Sequence, residues 1–215
     1  MSWSASERYG VRQAPDGFAL VQELINTRAI RTYAPDLLIR RESAEEWLTG
    51  AAEEWSALQG THPVDCSLST ADLAPLRDLR AIFTRLLSSP ESEATAPPSA
   101  PGHRVTVQLV PDTDGQVRLV PVGAGRGWLE SALWSEALLA QRAGIWPRLK
   151  VCRNPECGSS FYDTSRNNSG VWHDVRTCGN AANLRASRLR KRMLSGADGA
   201  GADGRPPMPA QAPKP

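Results

Sequence analysis

Residues 151–193 read VCRNPECGSSFYDTSRNNSGVWHDVRTCGNAANLRASRLRKRM, and this stretch decides how the C-terminal part of the chain folds. It holds three of the four cysteines in the 215-residue chain, Cys152, Cys157 and Cys178, and one of its three histidines, His173. Their spacing is C-x4-C-x15-H-x4-C. Two closely spaced ligand pairs joined by a moderate loop suit a tetrahedral zinc site, because each pair forms a clip and the loop lets the clips converge. Four protein ligands leave no position for water, so the spacing predicts one structural Zn2+ and no catalytic metal. Asn154, Pro155 and Gly158 put turns around the first pair, where backbone N–H groups can reach thiolate sulfur. Cys178 precedes a helix-forming run, whose dipole favours a thiolate at its start. Phe161, Tyr162, Val171 and Trp172 can supply the miniature core that such a module needs.

Beyond Cys178 the pattern turns helical and basic. Arg185, Arg188 and Arg192 recur at i, i+3 and i+7 on one face, with Arg190 and Lys191 widening it. Ala182, Ala186, Leu189 and Met193 share the opposite face, which can pack on the finger. Residues 148–192 carry 10 Lys/Arg against 3 Asp/Glu, whereas residues 1–147 carry 13 against 18. An acidic body with a basic end predicts that a polyanion meets the end only. Arginine gives charge-assisted, often bidentate contacts to phosphate and to guanine edges, so double-stranded DNA is the expected partner. Arg166 and Asn167 in the finger loop and Asn180 at the start of the helix complete the expected DNA-contacting set. Binding through such residues is steeply salt-dependent.

Working back from the finger, the rest of the chain reads as mostly α with one β-hairpin, an α+β organisation. Residues 1–16 are polar and are expected to be flexible. A helix is predicted over 17–30 from the spacing of Phe18, Leu20, Val21, Leu24, Ile25 and Ile30. A second starts at Ser43, read as an N-cap with Glu46 completing a capping box. Its stripe is Trp47, Leu48, Trp55 and Leu58, and Gly60 stops it. A third covers about 70–88, with Leu73, Leu76, Leu79, Ile82, Phe83, Leu86 and Leu87 at a 3.6-residue period. PESEATAPPSAPG (90–102) is a linker composition. The period then drops to two, predicting a hairpin over 104–122 around the turn PDTDG. A further helix is predicted over 127–143. The domain organisation expected is thus 1–16 flexible, 17–147 a helical domain with hairpin, 148–194 zinc finger with basic helix, and 195–215 a disordered tail rich in Gly, Ala and Pro.

Other features carry less. Cys66 and His62, four residues apart in a loop, read as a lone cysteine and a loop histidine; His103 has no evident partner. VGAGRGW contains G-x-G-x-G but lacks a βαβ context and reads as a turn. Trp47, Trp55, Trp128 and Trp134 fall on helices as core residues. No nucleophile–base pair stands out, so no enzymatic activity is expected. No run approaches the roughly 18 apolar residues that span a bilayer, and the N-terminus has no apolar signal region. The expectation is a cytoplasmic, nucleoid-associated protein, where clustered cysteines bind metal rather than pair as disulfides.

Cys152, Cys157, Phe161, Asp163, Ser165, Arg166, Asn167, Trp172, Cys178, Gly179 and Asn180 form a pattern that resembles the CGNR zinc finger. That module usually follows an ABATE domain in bacterial proteins assigned to stress-induced transcription regulation. The body is similar to the ABATE domain in LVQELINTRAI and in its order of helices and hairpin. The resemblance implies a DNA-binding regulator whose N-terminal domain is a sensor of a small-molecule effector or protein partner, or a homodimerisation unit. Two positions depart from the pattern. His173 stands where the family has its third zinc cysteine, and Ala181 replaces the arginine that follows CGN. A zinc-stabilised adaptor that docks on an acidic partner protein is the alternative function.

Overall fold

The computed structural model describes residues 3–30, 33–88 and 102–197. Its elements, in chain order, are α1 (Ser4–Glu7), α2 (Ala19–Asn26), α3 (Arg41–Gln59), α4 (Leu73–Ser88), β1 (Val107–Pro111), β2 (Val117–Pro121), α5 (Gly125–Arg142), β3 (Leu149–Val151), β4 (Ser160–Tyr162) and α6 (Asn180–Ala197). The fold is α+β: about half helical, with two antiparallel two-stranded hairpins.

The helix α2 is the centre of the molecule, because all eight of its residues are buried. Leu20, Val21, Leu24 and Ile25 give it apolar sides against α3, α4 and α5, and this burial is the main drive to fold. Trp55 and Trp128 meet edge to face at 5.6 Å, while Trp134 packs on Phe83 from the rim of the core. The core stripe of α3 is Trp47, Leu48, Ala51, Ala52 and Trp55; Leu58, expected within it, is 54% exposed. In α4 the buried positions are Leu73, Leu76, Leu79 and Phe83, and Leu86 turns outward.

Several local expectations are corrected. The segment 1–16 is not a loose polar end over its described residues: Trp3, Ala5, Ser6 and Ala14 are buried. The Glu23 carboxylate accepts hydrogen bonds from the N–H groups of Ala5 (2.6 Å) and Ser6 (2.9 Å), so a short arm with few apolar residues is held by its backbone donors. Ser43 does not cap α3, which begins two residues earlier with Arg40 at the N-cap. The Ser43 hydroxyl instead donates to Leu37 O and Arg40 O and ties the preceding turn to the helix. A capping box does occur, at Ser69 and Asp72 ahead of α4. Gly60 ends α3 with φ +62, the left-handed geometry expected of a glycine cap.

The hairpin expected at 104–122 pairs Val107 with Pro121 through Pro111 with Val117. Asp112 Oδ1 accepts from the Asp114 and Gln116 N–H groups and builds its turn. The expected linker at 90–102 lies outside the described residues, except Gly102. Residues 195–197 of the expected tail are the last residues of α6, and 198–215 lie outside the described residues.

The second hairpin, β3–β4, was not foreseen, since three residues per strand are too few to show a period. Leu149 pairs with Tyr162, Lys150 with Phe161, and Val151 with Ser160. Its alternation serves two cores. Leu149 is buried in the helical core with Tyr162 beside it, whereas Phe161 joins Cys152 and Cys178 in a second, smaller core. The packing therefore runs without a break across position 147, where the sequence suggested a boundary.

Candidate metal centre

The small core is built around sulfur. Cys152 follows β3, and its N–H donates to Ser159 O (2.8 Å). Asn154 O then accepts from the N–H groups of Cys157 (2.8 Å) and Gly158 (3.2 Å), folding residues 154–158 into a tight knuckle. Gly158 closes it at φ +63, a left-handed conformation that favours glycine, and a Cβ there would lie 2.7 Å from the end of the Arg28 side chain, which would have to move aside. His173 follows Trp172 on the returning chain, which is fixed by Arg153 N–H to Val171 O (3.0 Å). Cys178 lies in a π-helical turn, Val175–Gly179, that opens α6. Asp174 caps that turn, with Oδ1 accepting from Arg176 N–H at 2.8 Å.

These folds bring one ligand atom each from Cys152, Cys157, His173 and Cys178 within 4.8 Å of one another. A tetrahedral zinc with Zn–S of about 2.3 Å and Zn–N of about 2.0 Å has ligand–ligand edges of about 3.5–3.8 Å. Cys157 Sγ already lies 3.3 Å from His173 Nδ1. The donor set fits the metal on chemical grounds as well. The Cys157 thiol is held well below its ordinary value, chiefly by a hydrogen bond from the Cys152 thiol, against burial and with help from His173 and Ser159. Cys152, the donor in that pair, is pushed up by the same bond and by burial. Zinc binds thiolate and displaces the thiol proton, so a lowered Cys157 thiol beside three further donors suits it as a ligand. Three thiolates and one imidazole close the coordination sphere around one structural zinc.

A second layer fixes the ligands. The Asn154 side chain is buried, donates Nδ2–H to Cys178 Sγ (3.1 Å) and accepts through Oδ1 from the Arg185 guanidinium. Arg185 also pairs with Glu156 at 3.1 Å. Ser159 Oγ lies 3.2 Å from Cys157 Sγ. The thiolate contact expected from backbone turns is thus also made by an amide side chain, which composition gave no reason to single out. Beside the metal cluster, the buried Asp163 carboxylate organises loop 163–170. It accepts from Lys150 Nζ (2.7 Å), Ser165 N–H (2.8 Å) and Gly170 N–H (2.6 Å). Burial alone would raise its pKa, but these bonds outweigh it and hold the carboxyl well below the usual range.

The expected DNA-contacting residues are distributed around this frame. Arg166 and Asn167 are exposed on loop 163–170, and Asn180 is exposed at the first turn of α6. Arg188 and Arg190 are exposed along α6 and have no ion-pair partner among the described residues. Arg185 is half-buried and engaged with Asn154 and Glu156, so it belongs to the finger's own bonding. Lys191 and Arg192 lie on α6, but their side chains fall outside the described residues. Arg153 and Arg176 are exposed on the same module and were not singled out, because isolated arginines carry no spacing signal. Cys66 stays apart from the cluster: burial, with the charge of Asp65, pushes its thiol up to about 11. His103 stacks on Trp134 at 4.6 Å, a partner the sequence did not name.

Residues 148–191 match the CGNR zinc finger family. Among curated proteins none matches the chain. No helix among the described residues is long and apolar enough to cross a membrane.

Proposed function

We propose that the zinc finger and α6 form a unit that binds double-stranded DNA, and that the chain is a transcription regulator of bacterial type. In this reading the helical body is ABATE-like and serves as sensor of an effector or as dimerisation unit, and no enzymatic role is assigned. The observation that carries it is the placement of Arg188 and Arg190, exposed and without an ion-pair partner among the described residues, on a helix that follows directly from the turn holding a metal ligand, Cys178. A helix fixed at its start by metal presents its cations in a set direction, which lowers the ordering cost of meeting a rigid polyanion. The excess of 10 basic over 3 acidic residues in 148–192 supplies the field. Ala181 offers no cation at the position where the resemblance expects arginine, which leaves Arg166, Arg188 and Arg190 as the exposed, described cations of the expected set. A nucleoid-associated location in the cytoplasm follows from this role.

The test is a salt titration of binding to a random-sequence duplex and to genomic fragments. A logarithmic loss of affinity with salt, abolished by chelation of zinc, supports the reading. Salt-insensitive binding of an acidic protein without retention on DNA would favour the adaptor function instead.

A further inference from the structure

The polar side of α2 is buried, and it reaches the metal centre. Asn26 is fully buried and 134 positions from its main partner, Ser160. Its Oδ1 accepts from Ser160 N–H (2.7 Å), and its Nδ2 donates to Ser160 O (3.0 Å) and to Ser6 Oγ (3.1 Å). One side chain amide thus pairs with both backbone groups of a β4 residue, as a neighbouring strand would. Both Nδ2 hydrogens are used. Gln22, one turn earlier and also fully buried, supports the arrangement: its Nε2 donates to Arg12 O (2.9 Å) and its Oε1 accepts from Ala14 N–H (2.7 Å).

Ser160 is joined directly to the metal knuckle. It pairs with Val151, the residue before Cys152. Its neighbour Ser159 accepts from Cys152 N–H through its carbonyl and places its hydroxyl against Cys157 Sγ. Both sulfurs of the first ligand pair are therefore one residue away from an anchor set by α2. The N-terminal arm covers the opposite ligand: the Tyr9 ring meets His173 edge-on at 6.5 Å, and Val11 packs on the small core.

We infer that Asn26 is a positioning residue for the zinc centre, through which the helical body sets the geometry of the Cys152–Cys157 knuckle and so the retention of the metal. A shift of α2 bears directly on Ser160, which both Asn26 and Gln22 bond. The finger is then an output of the body rather than an independent appendage. The inference rests on the zinc reading of the four ligands and on no property of the DNA interface.

The experiment uses the full chain loaded with zinc, and follows transfer of the metal to a chromogenic chelator while far-UV circular dichroism reports the helices. Asn26→Ala is expected to release zinc about tenfold faster, the scale seen when outer-shell partners of a metal site are lost, with the helical signal kept. Leu48→Ala, in the buried stripe of α3, is the control for general loss of stability and is expected to leave the release rate unchanged. If Asn26→Ala does not keep its helices, Ser6→Ala decides, because it removes one acceptor of Asn26 Nδ2 and a hydroxyl bond to Glu23 while leaving both Asn26 bonds to Ser160 in place; release about threefold faster is expected. Wild-type release from a folded Asn26→Ala, or from Ser6→Ala where that variant decides, overturns the inference. Equal acceleration by Leu48→Ala does so too. A wild-type chain that binds no zinc would overturn the metal reading and this inference together, whereas a zinc-loaded wild type with an unaffected Asn26→Ala overturns only the inference.

Discussion

The helical body and the finger solve the same problem with different means. The body buries a continuous set of large apolar side chains around α2, including Leu20, Leu24, Leu76, Phe83 and Trp128. The finger buries Phe161 and two of its own metal ligands, with Trp172 and Val11 at the margin. So few apolar groups cannot offset the entropy of ordering some forty residues at about 1–2 kcal/mol each. A metal bond network can, because binding free energy in such modules is folding free energy. The difference teaches where each region is vulnerable: the body to cavities, the finger to loss of a single ligand.

The largest expected effect is on the finger. Cys178→Ala removes a ligand at the start of α6 and is expected to lower the zinc content from about one per chain to near zero, with loss of much of a binding energy of about 10 kcal/mol or more. Metal analysis and the Trp172 environment by fluorescence check it; full zinc in this variant would break the contrast between the two regions. Chelation of the wild type is expected to remove the signal of α6 and leave most of that of α2 to α5. Complete unfolding would show that the seam at Leu149 and Tyr162 carries more of the body's stability than its own core.

On the body side, Leu24→Ala leaves a cavity at the centre of α2 and is expected to cost about 2–5 kcal/mol in chemical denaturation, with zinc stoichiometry unchanged. Next in size is Asn154→Ala. It deletes the donor to Cys178 Sγ and the acceptor for Arg185, and a fall in zinc affinity of about 10–100-fold is expected in chelator competition. The smallest effects concern the interface. On the proposed DNA-binding function, Arg188→Ala is expected to weaken binding by about 1–3 kcal/mol if it reads a base, or to lower the salt slope by about one if it meets phosphate. Arg185→Ala should differ in kind, because its guanidinium is already shared with Asn154 and Glu156: part of its loss will appear as weaker zinc retention.

The same contrast explains what the sequence disclosed. The four metal ligands were legible because thiol and imidazole at fixed spacing admit few other roles, and the structure brings those four atoms together. The helices of the body were legible from apolar period, with ends misplaced where a polar residue had a different local task, as Ser43 does. Asn26, Gln22 and Asn154 were not legible as structural bonds. An amide can serve any donor or acceptor, and only the fold shows that Ser160 and Cys178 are the ones it meets. The N-terminal arm escaped for a related reason: backbone donors hold it to Glu23, and backbone leaves no trace in composition. The basic face of α6 was legible as a charge pattern, but the capture of Arg185 by the knuckle depends on Glu156 and Asn154, which approach it only after the finger folds.

The central claim is that three sulfurs and one imidazole hold one zinc. X-ray absorption at the zinc edge of the purified, full-length chain tests it most directly. The expected result is three sulfur neighbours at about 2.3 Å and one nitrogen at about 2.0 Å, with no oxygen in the first sphere. Two sulfurs with several light neighbours, or a sphere that keeps its nitrogen in His173→Ala, would contradict it.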